Sequence, residues 1–333
     1  MKITVLKRLT LIACLVSAAA PAAAETVSKL ASVAPSGSPW GKWATGVAAK
    51  IEEASGGELK IDLLLDARAG DEQTILRQTA KGRLDIAFVS NVPLTLLSQE
   101  MSVPSAPYLF DSAEQGTCVA YEHLATTLGD IMDGAGVVPL TWMEVGHYVI
   151  FSKEPVATPA DLQGKKMRIA PSIADAAFAK SLGVSGVPMG TSDAIPALQT
   201  GAVDAAWFPT LFGIGIGTHK VAPHVTVTNH ARLIGTVGVS KRTMEKLSDQ
   251  EKQWLGIFTA AAPQLTAGIL GAEPALLGKI EAAGIPVKHL NDEELAAWKA
   301  ASNGVLETIV AEAGGNAQAV ADSLAAAKLA CGN

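Results

Sequence analysis

The stretch IPALQTGAVDAAWFP, residues 195–209, has a counterpart in the first half of the chain, LRQTAKGRLDIAFVS at residues 76–90. Each reads as a helix ending at a glycine, followed by an aliphatic residue, an aspartate, one further residue, an alanine and an aromatic residue. The glycines are Gly82 and Gly201, and glycine readily adopts the left-handed conformation that closes a helix before a buried strand. The two halves therefore share a local α/β pattern.

The segments around this repeat alternate between strand and helix patterns. This β-α-β order predicts an α/β fold with mostly parallel sheets flanked by helices. The segment 137–152 is long and β-rich and could cross between two lobes, and a strand at 235–240 could return the chain to the first lobe. The remainder reads as mainly helical, with one short strand at 285–290. The predicted strands lie at 26–34, 59–65, 84–90, 166–170, 184–188 and 202–208, and the helices at 40–55, 72–81, 112–135, 174–182 and 191–200.

The first 24 residues have the pattern of a secretory signal peptide. Three basic residues precede a short apolar run, and Ala22 and Ala24 form an A-x-A site, so cleavage is predicted after Ala24. Cys14 loosely resembles a lipoprotein processing site, which leaves lipid anchoring as an alternative. We expect an exported, periplasmic protein without a later membrane span.

Charge and length restrict the class of protein further. The formal net charge of −6 becomes −9 when the three basic residues of the leader are removed. An acidic chain is a poor nucleic-acid binder, because neutralising phosphates requires clustered Lys and Arg. A chain of 333 residues also exceeds the usual size of a single core, so we expect two lobes.

Two cysteines, Cys118 and Cys331, follow the leader. In an oxidising compartment they could pair and tie the C-terminal tail to the first half. The alternative is two unpaired thiols, and the sequence leaves both open.

The carboxyl ends of two predicted strands indicate where a ligand would bind. Ligands of open α/β sheets bind outside these ends, and the tips here are SNVP at 90–93 and FPT at 208–210. We expect the tips to face each other across a cleft, with Trp207 packed within the strand and Phe208 at the cleft. The alternation of side chains along a strand also allows the reverse, so both Trp207 and Phe208 are included among the expected ligand-binding residues.

Several other features carry weaker signals. The run GIGIG at 213–217 lacks the order of a dinucleotide-binding motif and is predicted to be a mobile loop. His219, His224 and His230 are predicted to be surface or loop histidines, not metal ligands. Arg168 could be either an exposed edge charge or a fork for a carboxylate. No catalytic motif or cofactor motif is evident, so we expect neither an enzyme nor a cofactor.

Six segments between residues 28 and 245 follow the order of a known family. They are SPW at 38–40, SGGELKI at 55–61, KGRLDIAFVS at 81–90, VPSAPYLF at 103–110, VATPADLQGKKMRI at 156–169 and ALQTGAVDA at 197–205. Through these segments the chain resembles the substrate-binding proteins of the TRAP transporters, the DctP-like group. The resemblance implies a type II-like periplasmic binding protein with two α/β lobes, each a mixed sheet flanked by helices, with crossing strands and a long C-terminal helical region.

The resemblance also implies a division into lobes and a role. Lobe I would comprise residues 25–146 plus about 236–272, and lobe II about 147–235 plus 273–330. The protein would close on an organic acid and hand it to small and large membrane permease subunits, driven by an ion gradient. A sensory ligand-binding module and an exported enzyme on the same scaffold are the alternatives.

The carboxylate-holding arginine of the family maps onto Arg168. Two departures remove polar partners: many members carry a second arginine where this chain has Gly146-His147-Tyr148, and an asparagine where it has Phe208. We therefore expect a monocarboxylate with an apolar or aromatic body. The other expected site residues are Asn91 and Thr210 as hydrogen-bond partners, Trp40, His147, Tyr148 and Phe208 as an apolar wall, and Glu72 as either a ligand contact or a helix cap.

Overall fold

The computed structural model describes residues 25–332, so the predicted signal peptide lies outside the described residues. Ten strands form within them: β1 Thr26–Ala31, β2 Leu59–Leu64, β3 Ile86–Ser90, β4 Val137–Ser152, β5 Lys166–Ile169, β6 Ser185–Pro188, β7 Ala205–Pro209, β8 His224–Val227, β9 Arg232–Ser240 and β10 Val287–His289.

Twelve α-helices accompany the strands in the same part of the chain, with a π-helical turn at Val119–Leu124 between α3 and α4. They are α1 Pro39–Ala54, α2 Glu72–Ala80, α3 Ala113–Cys118, α4 Ala125–Gly134, α5 Ile173–Ser181, α6 Thr191–Thr200, α7 Thr210–Gly215, α8 Lys241–Met244, α9 Asp249–Ala282, α10 Asp292–Ala301, α11 Val305–Ala313 and α12 Ala317–Ala330.

The strands form two sheets that share β4. The order is β2-β1-β3-β9-β4 in the first sheet and β4-β7-β5-β6 in the second, where β8 also pairs with β4 and with β10. β1 runs parallel to β2 and β3, and β5 runs parallel to β6 and β7. β9 is antiparallel to β3 and β4. The α/β fold with two mixed sheets, flanking helices and a long C-terminal helix is as the sequence predicted.

The crossing strand β4 changes partners in its middle. Residues 137–147 pair with β9, whereas residues 148–152 pair with β7. The ladder to β9 is irregular between Glu144 and Gly146, and Gly146 has φ +113°, which a side chain rarely tolerates. One strand therefore carries the chain from one sheet into the other.

The repeated aspartate has the same structural role in both halves. Asp85 Oδ2 accepts a hydrogen bond from the backbone N–H of Lys29 at 2.9 Å, at β1. Asp204 Oδ2 accepts one from the backbone N–H of Lys166, also at 2.9 Å, at β5. Because β1 neighbours β3 and β5 neighbours β7, each aspartate joins its own strand to the parallel neighbour.

The prediction that the GIGIG segment forms a mobile loop is wrong. Its first three residues form the end of α7, which begins at Thr210 and packs against β4. A Cβ at Gly213 would lie 2.4 Å from Phe151 Cε2, so this glycine permits close packing of the helix on the strand. At Gly213, the glycine therefore serves packing.

Two features tie the C-terminal third to the rest of the molecule. α9 is long and apolar enough to cross a membrane by length and composition, and it packs along β4 and α1. Trp43 Nε1 donates to the carbonyl of Ala261 across that contact, at 3.0 Å. Beyond α9, a disulfide joins Cys118 to Cys331, whose Cα atoms are 5.8 Å apart, and so fixes the end of α12 against α3.

Candidate ligand-binding site

A central cavity lies where the carboxyl ends of β3, β5 and β7 meet the crossing strand β4. Arg168 and Glu72 are the charged residues among its described lining. The remainder is mostly apolar, which suits a ligand with a hydrophobic body. The lining residues are Ser32, Val33, Ala34, Trp40, Glu72, Gln73, Phe88, Val89, Ser90, Val92, Val145, Tyr148, Arg168, Ala170, Pro171, Gly190, Thr191, Phe208, Pro209, Phe212 and Leu233.

Arg168 is buried, with 2% of its surface exposed, and lies on β5 between β6 and β7. The alternative of an exposed edge charge is therefore wrong. Nη1 donates to the carbonyl of Trp207 at 3.3 Å and Nη2 to that of Met189 at 3.0 Å, whereas Nε has no partner among the described residues. The guanidinium carbon lies 4.3 Å from the centroid of the Phe208 ring, a favourable cation–π distance.

The remaining donors of Arg168 suit an anion. Burial lowers the pKa of the guanidinium, but arginine remains charged in proteins. Two of its five N–H groups are used by the carbonyls, so the others can form charge-assisted bonds to a carboxylate.

Glu72 begins α2, and its carboxylate lies in the cavity wall. The helix cap is the preceding residue, Asp71, whose Oδ1 accepts from the backbone N–H of Thr74 at 2.8 Å. Glu72 instead accepts two hydrogen bonds from Ser90, from the backbone N–H at 2.6 Å and from Oγ at 2.8 Å. Burial raises the pKa of Glu72, while these bonds and the charge of Arg168 oppose the increase.

A second layer of buried polar residues supports the cavity from behind. Trp207 Nε1 donates to Asp175 Oδ1 at 2.5 Å, and Trp207 faces away from the cavity. His230 stacks on Tyr148 and on Phe178, with ring centroids 5.4 and 4.9 Å apart. The prediction of a surface or loop histidine is wrong for His230, which is 1% exposed and whose pKa is lowered by burial to about 3.

Five of the nine predicted ligand-binding residues line the cavity: Trp40, Glu72, Tyr148, Arg168 and Phe208. The indole N–H of Trp40 is engaged by the carbonyl of Glu144 at 3.3 Å, so this residue presents an apolar face. In the antiparallel pair β4–β7, Tyr148 pairs with Pro209 and Phe208 pairs with Val149. The two aromatic side chains therefore lie on opposite faces of the ladder, and both line the cavity at its end.

The other four lie outside the cavity. Trp207 lies on the same face of the β4–β7 ladder as Tyr148 but packs against Phe178 and His230. His147 Nδ1 lies 3.0 Å from Glu273 Oε2 of α9. Asn91 is buried and donates to Ser105 Oγ at 2.6 Å, and Thr210 donates to the carbonyl of His147 at 3.1 Å. Each of the four side chains makes an internal contact, although Asn91 Oδ1 has no partner among the described residues.

Two contributors to the site were not predicted from the sequence. Ser90 anchors the Glu72 carboxylate, and Asp175 lies behind Trp207 with its pKa raised by burial. Asp175 follows a Ser172 helix cap three residues earlier, which is the spacing of an ordinary capping interaction and gives no functional signal.

One group of residues has the spacing of a metal site within the part of the chain that the structure describes: Cys118, His123 and Cys331. Its two sulfur atoms form the disulfide. Metal ligation requires thiolates, so this group does not hold a metal while the disulfide is intact.

Comparison with known proteins identifies the family. Residues 30–313 match the model of the bacterial extracellular solute-binding proteins, family 7, named DctP. A solute-binding protein of Verminephrobacter eiseniae is 28% identical over 207 residues, 62% of this chain and 62% of its own length. The sialic acid-binding periplasmic protein SiaP of Vibrio cholerae is 29% identical over 256 residues, 74% of this chain and 77% of its own.

Solved structures agree in fold. The sugar acid binding protein DctPAm of Advenella mimigardefordensis, solved with galactonate, superposes with a TM-score of 0.88 at 20% identity, covering 93% of this chain and 99% of that one. The ectoine-binding protein of Halomonas elongata gives a TM-score of 0.85 at 23% identity, covering 92% and 100%. With a family model that spans most of its length, the chain belongs to family 7 of the bacterial extracellular solute-binding proteins.

Proposed function

We propose that this chain is the periplasmic substrate-binding protein of a TRAP-type, ion-gradient-driven transporter and that it captures a monocarboxylate with an apolar or aromatic body. The observation that carries the proposal is the buried guanidinium of Arg168, with unused donors, in a mostly apolar cavity. A buried charge is stable only when it is paired, and a ligand carboxylate provides that pair.

Relatives bear names or titles that indicate different ligands, including sialic acid, ectoine, galactonate and succinate. The ligand class must therefore be inferred from the cavity of this chain. Arg168 is the one cation among the described lining residues of the cavity. A second carboxylate on the ligand would meet no further cation there, which favours one carboxylate over two.

Binding would proceed by hinge closure between the two lobes with the boundaries predicted from the sequence. The exchange of partners in β4 between residues 147 and 148 coincides with the proposed boundary and supports it. The closed protein would then deliver the acid to the small and large membrane permease subunits. Export with cleavage after Ala24, into the periplasm, belongs to the same proposal.

The test is a thermal-shift screen of residues 25–333 with pyruvate, 4-methyl-2-oxopentanoate, hexanoate, phenylacetate, succinate and galactonate, together with hexanamide and phenylacetamide. We expect the melting temperature to rise with hexanoate or phenylacetate and to stay unchanged with the matching amide. Arg168→Lys keeps the charge but loses the planar fork, so it should weaken binding at least tenfold. Arg83→Ala removes an exposed arginine and is the control.

Two results would overturn the proposal. Amides that bind as tightly as the acids would show that no anion is recognised. Unchanged affinity in a folded Arg168→Lys protein would remove Arg168 from the ligand site.

A further inference from the structure

The hydroxyl groups of the three tyrosines differ in their partners. Tyr108 Oη donates to the carbonyl of Thr228 at 3.2 Å. Tyr121 Oη pairs with Thr266 Oγ1. The hydroxyl of Tyr148 makes no hydrogen bond to any described residue, although the side chain is only 4% exposed and lines the central cavity. Because this side chain is enclosed by the cavity wall and its hydroxyl meets no protein partner, the hydrogen-bonding capacity of the hydroxyl is available to a molecule bound in the cavity.

The acids around Tyr148 do not use this hydroxyl. Glu72 on α2 accepts both of its hydrogen bonds from Ser90. Asp175 on α5 accepts from Ser172, from Trp207 and from the backbone N–H of Ala170. Both carboxylates are thus satisfied by other donors, and neither is the partner of the tyrosine.

The same surroundings keep the hydroxyl protonated. Burial, with the charges of Asp175 and Glu72, raises the pKa of Tyr148 well above its ordinary value, and Arg168 opposes this only in part. The neutral His230 ring stacks on the tyrosine ring and holds its orientation. Tyr148 is therefore a fixed, uncharged donor in the wall that it shares with Arg168.

We infer that Tyr148 Oη donates a hydrogen bond to the ligand's carboxylate and is, with Arg168, the second anchor of the bound anion. This inference rests on the proposed function. The pair holds the anion with one positive charge and one neutral hydroxyl. It adds binding strength without adding the second cation that a dicarboxylate would require.

The experiment is calorimetric titration of the wild type, Tyr148→Phe and Tyr108→Phe with hexanoate, phenylacetate and adipate. Tyr148→Phe removes only the oxygen and should weaken binding of hexanoate or phenylacetate about 10- to 100-fold, the range for a hydrogen bond to a charged group. Tyr108→Phe removes a hydroxyl bonded outside the cavity and should leave the Kd within about twofold. Hexanoate should bind the wild type more tightly than adipate, which has a second carboxylate on a chain of the same length.

A structural role and a binding role give different results. If Tyr148 acts on the ligand, the unliganded melting temperature of Tyr148→Phe does not fall, whereas that of Tyr108→Phe does. Wild-type affinity in Tyr148→Phe, together with weakened binding in Arg168→Lys, would overturn the role of Tyr148 and leave the proposed function intact. Absence of hexanoate and phenylacetate binding in the wild type, or a preference for adipate, would overturn both.

Discussion

The buried His230 makes the stability of the protein depend on pH in a calculable way. Its ring is enclosed by three aromatic side chains, those of Tyr148, Phe178 and Trp207. Nδ1 lies 2.7 Å from Thr228 Oγ1, and Nε2 has no partner among the described residues. Because nothing there stabilises the imidazolium, burial lowers the pKa of His230 from 6.5 to about 3.

The sign and size of the effect follow from linkage. The unfolded chain binds a proton at this histidine near pH 6.5, whereas the folded protein does not until about pH 3. Stability is therefore lost as the pH falls below 6.5. The loss attributable to His230 is about 2 kcal/mol between pH 8 and pH 5 and approaches about 5 kcal/mol below pH 3.

The assay is urea unfolding, followed by tryptophan fluorescence at pH 8 and pH 5, of the wild type and of His230→Gln. Glu72 and Asp175 are present in both proteins, so their contributions cancel. The wild type should lose about 2 kcal/mol more than the variant between the two pH values. His289→Gln removes an exposed histidine and should follow the wild type. An equal loss in the wild type and in His230→Gln would refute a neutral, buried His230.

Three further changes test Gly146 of β4, the disulfide and the carboxyl group of Glu72. Gly146→Ala places a Cβ 2.4 Å from Glu273 Oε1 at a φ of +113° and should reduce the free energy of unfolding by about 2 kcal/mol or more. The control, Gly256→Ala, lies in open space on α9 and should not reduce it. Equal urea midpoints for the two variants would contradict this. Cys118→Ser removes a disulfide spanning 213 residues and should cost about 2–5 kcal/mol, and a reductant should then lower the melting temperature of the wild type but not that of the variant. Burial raises the pKa of Glu72 above 4.5. The wild type should therefore lose stability relative to Glu72→Gln as the pH rises from 4.5 through the raised pKa. If the difference in urea midpoint between the two proteins is the same at pH 4.5 and pH 8, the pKa of Glu72 is not raised.

Local patterns predicted much of the fold because they reflect local causes. The glycine of the repeated stretch could be recognised because it acts at a helix end, and Gly82 and Gly201 have φ of +70° and +76°. The role of the aspartate could not, because it accepts a hydrogen bond from a strand 56 or 38 residues away in sequence. The GIGIG segment could not be interpreted in the same way. Its first glycine, Gly213, lies in close contact with Phe151, which is distant in sequence and gives no local signal.

The sequence predicted less of the candidate site than of the fold. The alternation of side chains along a strand predicts that His147 and Tyr148 point to opposite faces of β4, but it does not predict which face borders the cavity. Asn91 follows a predicted strand tip, yet its amide is engaged by Ser105, fourteen residues further along the chain. His230 carries no local signal of burial, because the aromatic rings that enclose it come from three separate elements.

The position of β9 in the sequence determines when the first sheet can be completed during synthesis of the chain. β9, at residues 232–240, lies between β3 and β4 and pairs with both. Until residue 240 has been synthesised, the first 150 residues contain every other strand of the first sheet but leave β3 and β4 with unpaired edges. Exposed strand edges favour association between chains. A chain that stops short of β9 is thus expected to aggregate, so the first sheet depends for its completion on a strand encoded in the last third of the sequence.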